Sequence, residues 1–469
     1  MLPSIFGWQE RLFDVYIKYM TKRTRTTLFI LMVLVFAIVA PGIIMYSQGY
    51  RFDIKKMKYL ETGGIYVKTL PGDATISVDD DYKDKTSGFS RDLLVQNLLP
   101  ENHLVKIEKD GYHSWTKTLE VKEKKVSEAK YVILFPNEIP FTSIDNDVKN
   151  FYPYPDNNKI LLLTVSNELL SYDASKKETV KLLSKTQTPY NISDISFSPT
   201  GRRALIKTST GLHYLLNLET STISLIRSMS SSTQNVVFDP SKEGSFFYQV
   251  NNLIYRVDAD KQTAPKLFKK ENITAFTING NDVYSLEAGI LYRDNLTLNI
   301  NETLSEQPFE TDKNSYELIS MENEIFLIEN KKAIYLFNRE TGAFDKKAEA
   351  KTEIKYTPFY ERILFAADNE LWLLLLKDAE TPFFTKAYST IFISRFSQNI
   401  GDIKWLNGDY FVYTLDNKVN ISEIDNRDHI NSFELPQSET SKIFFNGNTK
   451  KLFLLNKEEL FTSNEKLLP

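Results

Sequence analysis

Charge disappears from the chain between Arg25 and Arg51, and inside that gap Leu28 to Tyr46 reads LFILMVLVFAIVAPGIIMY. Nineteen nearly uniformly apolar residues at about 1.5 Å each match the roughly 30 Å hydrocarbon core of a bilayer, and a soluble helix seldom lacks a polar face over so many turns. Pro41-Gly42 inside the run is tolerated better in a membrane helix than in a soluble one. From residue 62 the period changes to two. Ile65, Val67 and Thr69 share one strand face, Pro71-Gly72 turns the chain, and Ala74, Ile76 and Val78 share a face of the next strand. Leu104 to Glu108 and Trp115 to Val121 continue the alternation on either side of Asp110-Gly111.

From about residue 137 a longer repeat takes over. A strand, a turn rich in Pro, Asn or Gly, a strand of four or five apolar residues, a polar gap and a further strand recur, with no helical pattern. The clearest copy runs from Ile192 to Phe197 through Ser198-Pro199-Thr200-Gly201-Arg202 to Ala204-Leu205-Ile206 and on to Asn217. Copies begin near Val148, Ile192, Asn235, Thr274, Tyr316, Ile354, Asp402 and Lys442, a mean spacing of about 42 residues, which is the length of a four-stranded propeller blade. Such a sheet cannot bury both faces alone, and stacking blades around an axis does it for every blade at once. Eight copies predict eight blades. Seven blades with one insertion, and a pair of β-sandwiches, are the alternatives.

The predicted architecture is therefore all-β after one helix. It comprises a cytoplasmic tail (1–27), a transmembrane helix (28–46), a juxtamembrane linker (47–61), a small β-sandwich (62–136) and a β-propeller (137–469). A cleaved signal peptide is not expected: Ile38-Val39-Ala40 has a bulky residue where a small one is needed, and Pro41 follows the would-be cut. Arg11, Lys18, Lys22, Arg23 and Arg25, set against Glu10 and Asp14, give the tail a net charge of +3, against −7 for everything after residue 46. The positive-inside rule then places the N-terminus in the cytoplasm and the rest outside it; Lys55, Lys56 and Lys58 soften the contrast but do not reverse it. Within the tail, Ile5, Trp8, Leu12, Tyr16 and Met20 recur at helical spacing, as in a helix lying on the inner leaflet.

The stretch GGIYVKTLPGDATISVDD, followed by HLVKIEKDGYHSWTKTLEV, resembles a PEGA domain over roughly residues 62 to 136. The turn that names the family is here Pro71-Gly72-Asp73-Ala74, out of the usual order, while Lys109-Asp110-Gly111-Tyr112 matches a later family element well. The residues Ser47 to Asp53 are also similar to anchored PEGA proteins of small-genome bacteria. The resemblance implies an envelope or surface protein in which this domain serves as a spacer or adhesion module. Tyr112 and Trp115, if exposed, are its candidate ligand contacts; aromatic residues at such places more often pin a hairpin to a core. Ser198 to Arg202 resembles the Ser-Pro-Asp-Gly-Lys turn of the Tol-system translocation protein and of peptidase propellers, whereas the Trp-Asp dipeptide of WD repeats and the sialidase Asp-box are missing.

Composition narrows the chemistry. The 25 Tyr and 31 Phe favour strands. A net charge of −4 leaves no electrostatic footprint for nucleic acid. With no cysteine there is no disulfide, no thiolate metal site and no cysteine nucleophile. His103, His113, His213 and His429 are scattered, without a His-Glu-x-x-His pair. Gly88-Phe89-Ser90-Arg91-Asp92 lacks the second glycine of a nucleophile elbow, and no Walker or dinucleotide loop occurs. Asp79-Asp80-Asp81 and Asp145-Asn146-Asp147 lack the alternation, glycine and distal glutamate of a calcium loop and read as solvated turns.

The expectation is a bacterial single-pass membrane protein without catalytic, cofactor-binding or metal residues. Leu28 to Tyr46 meets the lipid bilayer, and the propeller presents a surface to an envelope protein or glycan. The alternative is an envelope glycan hydrolase or lyase with its site at the axial mouth of the propeller. Carboxylates with a histidine or arginine facing the channel would favour that enzyme, and mixed polar groups would favour binding.

Overall fold

A computed structural model describes residues 21–47, 49–53, 57–261, 263–269, 272–312, 314–379, 385–440 and 442–468. The amphipathic pattern of the tail, Ile5 to Met20, lies outside them. Helix α1 spans Lys22–Ser47, six residues longer at its N-terminal end than the apolar run, with Pro41 inside it. Thr21 opens it as an N-cap, its Oγ1 accepting from the Thr24 N–H at 3.3 Å. Thr26 and Thr27 satisfy their hydroxyls within the helix by donating to Lys22 O and Arg23 O. No side chain of α1 is buried against protein.

The described residues divide into two compact units, those up to 109, α1 included, with 114–134, and 110–113 with those from 135 onward. The stretch read as a linker contains a two-stranded antiparallel hairpin, Tyr50–Asp53 with Lys58–Glu61. The rest of the first unit is a sandwich. One sheet orders Asp92–Leu98, Gly63–Leu70 and Val126–Ile133, the last two running parallel; the other orders Tyr82–Lys85, Thr75–Val78, Asn102–Glu108 and Trp115–Glu120. The period-two reading gave the right faces: Ile65, Val67, Thr69, Ala74, Ile76, Val78, Val105 and Ile107 are all buried, while Leu104 points out. Gly63 begins the central strand where a Cβ would lie 2.4 Å from Lys122 O and 2.7 Å from Lys125 O. The neighbours are backbone and cannot swing aside, so Gly63→Ala should cost about 1–3 kcal/mol, read as a lowered urea midpoint of the full chain in detergent.

The second unit contains eight four-stranded antiparallel sheets. Their first strands are Val148–Pro153, Ile192–Phe197, Gln234–Phe238, Ile273–Asn279, Tyr316–Met321, Lys355–Phe359, Ile400–Trp405 and Lys442–Asn446, within two residues of the starts read from the repeat. They define blades 1 to 8; neither seven blades nor a pair of sandwiches describes them. Blade 8 takes its outermost strand, Phe141–Asp145, from the beginning of the repeat region, where it pairs with Glu459–Ser463. The ring is thus closed by strand pairing between residues more than 300 positions apart.

The second strand of each blade explains why the sequence shows unbroken apolar runs. In Lys159–Thr164 of blade 1, Ile160 and Leu162 pack with Phe453 and Leu455 of blade 8, while Leu161 and Leu163 pack with Ile195 and Ile206 of blade 2. In blade 5, Ile325 and Leu327 face blade 4, and Phe326 and Ile328 face blade 6. Both faces of these strands are interior, so alternation is lost and their central positions are all apolar.

Candidate functional site

The first strands of neighbouring blades approach one another around the axis, and five of them, in blades 1, 2, 3, 4 and 7, carry a register shift near their beginning. An extra residue there bends the strand and re-aims its side chains. Asn150, Asp194, Asn235 and Asp402 all lie at these shifts. Lys442 begins the blade 8 strand one repeat further on.

Lys442 organises one side of this wall. Its Nζ donates to Phe151 O at 2.6 Å and to Asn150 Oδ1 at 3.0 Å, and lies 4.8 and 4.9 Å from the rings of Phe151 and Tyr152. Asn150 Nδ2 donates to the Tyr152 hydroxyl at 3.0 Å. From blade 7, Asp402 Oδ1 accepts from Lys404 Nζ at 2.6 Å and its Oδ2 accepts from the Ile443 N–H at 3.2 Å. Burial against the aromatic rings pushes the Lys442 ammonium down to about 8; Asp402 and Asp194 oppose this and Lys404 adds to it. Burial also raises the Tyr152 phenol, with the Asp194 carboxylate adding to it.

Across blades 5 and 6 the wall is acidic and phenolic. Glu317 is accessible to solvent, yet desolvation raises its carboxyl, with Lys331 opposing. A carboxyl set within a concave wall can be reached by water and still be poorly hydrated. Tyr356 beside it is pushed up to about 12, mostly by burial and then by the Glu317 charge. Lys355 donates to Ile400 O at 3.3 Å, joining blades 6 and 7. The wall therefore mixes ammonium, carboxylate, amide and phenol groups, and those of blades 7, 8 and 1 are already bonded to one another. Such a wall can hold a polar ligand by hydrogen bonds.

The residues singled out in the sequence sit elsewhere. Trp115 is 3% exposed, so its ring packs inside the sandwich, with Lys117 Nζ 5.7 Å from its centroid, and offers no exposed contact to a ligand. Tyr112 is half-buried and bridges to Pro136 within the second unit. Neither belongs to the axial wall. His103 is buried and bonded to Asp79 and to Leu99 O. His113 stacks on Phe433, and burial lowers its imidazolium. His213 is buried in blade 2 with its imidazolium lowered by desolvation, and His429 is exposed beside Asp428. Among the described residues no three His, Asp or Glu side chains are grouped to hold a metal.

The two acidic runs serve turns. Asp79 Oδ1 accepts from the Leu104 N–H, and Asp147 Oδ2 accepts from the Ser166 hydroxyl at the entry to blade 1. Sequence reasoning missed the axial residues because each is one ordinary polar residue among many. Aligning the repeats on their first strands would have put Asn150, Asp194 and Asp402 at equivalent places, each two residues after the start of its strand.

Residues 62–133 match the family model of the PEGA domain, and the chain contains that domain followed by a β-propeller. The chain is similar to the C-terminal WD40 domain of Sif2 at 8% identity, covering 70% of this chain and 99% of that one, with a TM-score of 0.47. It is also similar to BamB from Moraxella catarrhalis, at 10% identity over 70% and 98% with a TM-score of 0.43. A third is dipeptidyl peptidase 4 of Porphyromonas gingivalis, at 9% over 66% and 56% with a TM-score of 0.45. No curated protein matches the sequence. Identities this low speak of fold alone, and the propeller stands on its own eight sheets and the cores between them.

Proposed function

We propose that this is a membrane-tethered binding or scaffold protein of the bacterial cell envelope, with its N-terminus in the cytoplasm and its propeller outside. The PEGA domain spaces the ring from the bilayer, and the ring presents the end at which its first strands begin to an envelope protein or glycan. The observation that carries this reading is the pairing, in one chain, of a 26-residue apolar helix with no buried side chain and an eight-bladed ring. An apolar helix of that length left bare against water would be unstable, and lipid is the medium that suits it. The groups named on the axial wall are mixed polar ones, ammonium, carboxylate, amide and phenol, and they support the binding reading.

Orientation and binding can be tested together in native membranes. Tyr190 and Leu212 are exposed at the end of the ring where the blade 2 strand begins, and Leu298 is exposed in the turn before the outermost strand of blade 4. Photo-crosslinking residues at Tyr190 and Leu212 are expected to capture one defined envelope protein or glycan, with none at Leu298. Capture at neither of the first two positions would overturn the binding reading. Digestion of the body by protease inside the cell, and not from outside it, would overturn the orientation.

A further inference from the structure

The hairpin that follows α1 carries a surface which protein leaves bare. Its register sets Phe52 opposite Tyr59 and Tyr50 opposite Glu61, so these four side chains share one face. Phe52 and Tyr59 pack edge to face at 5.1 Å between centroids, yet they remain 45% and 57% exposed, and Met57 at the turn is 73% exposed. On the other face Leu60 is buried and Arg51 turns back to the helix. Arg51 Nη1 donates to Tyr46 O and Tyr50 O, both at 2.9 Å, and the guanidinium lies 3.6 Å over the Tyr46 ring. This adds a second donor to the Tyr46 carbonyl, which also accepts from the Gly49 N–H at 3.2 Å, and fixes the hairpin to the helix end.

The base of the hairpin is held as well. Gly49 O accepts from Thr62 N–H at 2.9 Å and from the Thr62 hydroxyl at 2.6 Å. The Tyr50 hydroxyl donates to Glu61, which Lys124 pairs at 2.6 Å. A two-stranded hairpin is marginal by itself in water, and this one turns two aromatic rings and a methionine outward. It does so from three residues beyond the end of an apolar helix, with Lys58 exposed on its other face. Aromatic rings at the end of a spanning helix suit the headgroup layer, where the rings bury their apolar edges.

We propose that this hairpin is a second membrane contact: Phe52, Met57 and Tyr59 enter the lipid headgroup layer on the far side of the bilayer, while Arg51 on the other face holds the hairpin to the helix end. The proposal rests on the reading of α1 as membrane-spanning. It makes the hairpin a collar that fixes the depth of the helix end and carries that constraint, through Glu61 and Lys124, into the PEGA domain.

The chain has no cysteine, so single cysteines can be labelled cleanly in the full-length protein. An environment-sensitive fluorophore is placed by Met57→Cys, Tyr59→Cys, Phe89→Cys and Val33→Cys, and each protein is reconstituted into phosphatidylethanolamine–phosphatidylglycerol vesicles. Phe89 is 98% exposed in the sandwich and serves as the aqueous control; Val33 lies in the middle of α1. A spin label carried shallowly on lipid should quench the labels at 57 and 59 at least about twofold more than that at 89, while iodide quenches them less. Labels at 57 and 59 behaving like that at 89, with Val33 shielded, would overturn the collar and leave the anchor standing. Val33 open to iodide would overturn the anchor, and the collar with it.

Discussion

Phe151→Ala should lower the stability of the propeller by about 3–5 kcal/mol, the usual cost of truncating a buried aromatic residue. Phe151 has no exposed surface and belongs to the core that joins the last blade to the first, 6.4 Å from the Phe444 ring. It also forms part of the floor beneath Lys442, whose ammonium lies 4.8 Å from its centroid. The change therefore opens a cavity at the place where the ring closes and removes apolar cover from a buried cation. Urea unfolding followed by tryptophan fluorescence, with Trp372 in blade 6 and Trp405 in blade 7, reads the effect away from the substituted site. A loss below about 1 kcal/mol, the level of an ordinary surface change, would show that closure does not depend on this core.

The second large effect is a pH dependence. Lys442 titrates at about 8 in the folded chain and near 10.5 when unfolded. Between those values the unfolded chain holds the extra proton, so stability rises with pH across that window. Below pH 8 both states are protonated and the burial penalty stands in full. A gap of one pH unit between the folded and unfolded titrations is worth about 1.4 kcal/mol, so the contribution is about 3 kcal/mol. Lys442→Met lacks this titration and keeps the apolar length of the side chain. Relative to Met, the wild-type chain is expected to gain about 3 kcal/mol on going from pH 7 to above 10.5. At pH 7 the Met variant should be at least as stable as wild type, because removing a desolvated charge offsets the loss of its hydrogen bonds. A difference between the two proteins that stays flat with pH would show that Lys442 is hydrated and does not carry the penalty.

The two substitutions probe one feature from opposite sides. The axial wall is a set of polar groups built into a ring whose cores are apolar, and Lys442 stands where the chain's last blade meets its first. Hydrogen bonds from Asn446 and Asn448 to the backbone of Asn157 and Asp156 add to the same seam. A ligand held at this end of the ring would rest on the part of the fold that long-range pairing makes, and its binding should weaken in variants that loosen the seam.

Much of this architecture was readable because it depends on local periodicity. The uncharged run after Arg25 gave the helix, since a long apolar segment satisfies its backbone hydrogen bonds within itself only as a helix. Alternation at Ile65, Val67 and Thr69 gave the inner face of the sandwich, because the side-chain period of a strand is fixed by its backbone. The recurrence from Val148 to Lys442 gave the number of blades, as each blade must bury its faces against copies of itself. What the sequence could not supply depends on pairings between distant residues. Strand Phe141–Asp145 joins blade 8, although nothing local to it names a partner some 320 residues away. Trp115 is buried and Phe52 exposed, although both are aromatic residues in short strands; Trp115 lies inside the sandwich, whereas none of the described residues covers Phe52 fully. Lys442, Asp402, Asn150 and Asp194 are ordinary polar residues until ring closure brings blades 7, 8, 1 and 2 side by side. The period of each element follows from the chain's own covalent geometry, whereas the neighbours of an element, and with them the burial and pKa of its side chains, come into being when the ring closes.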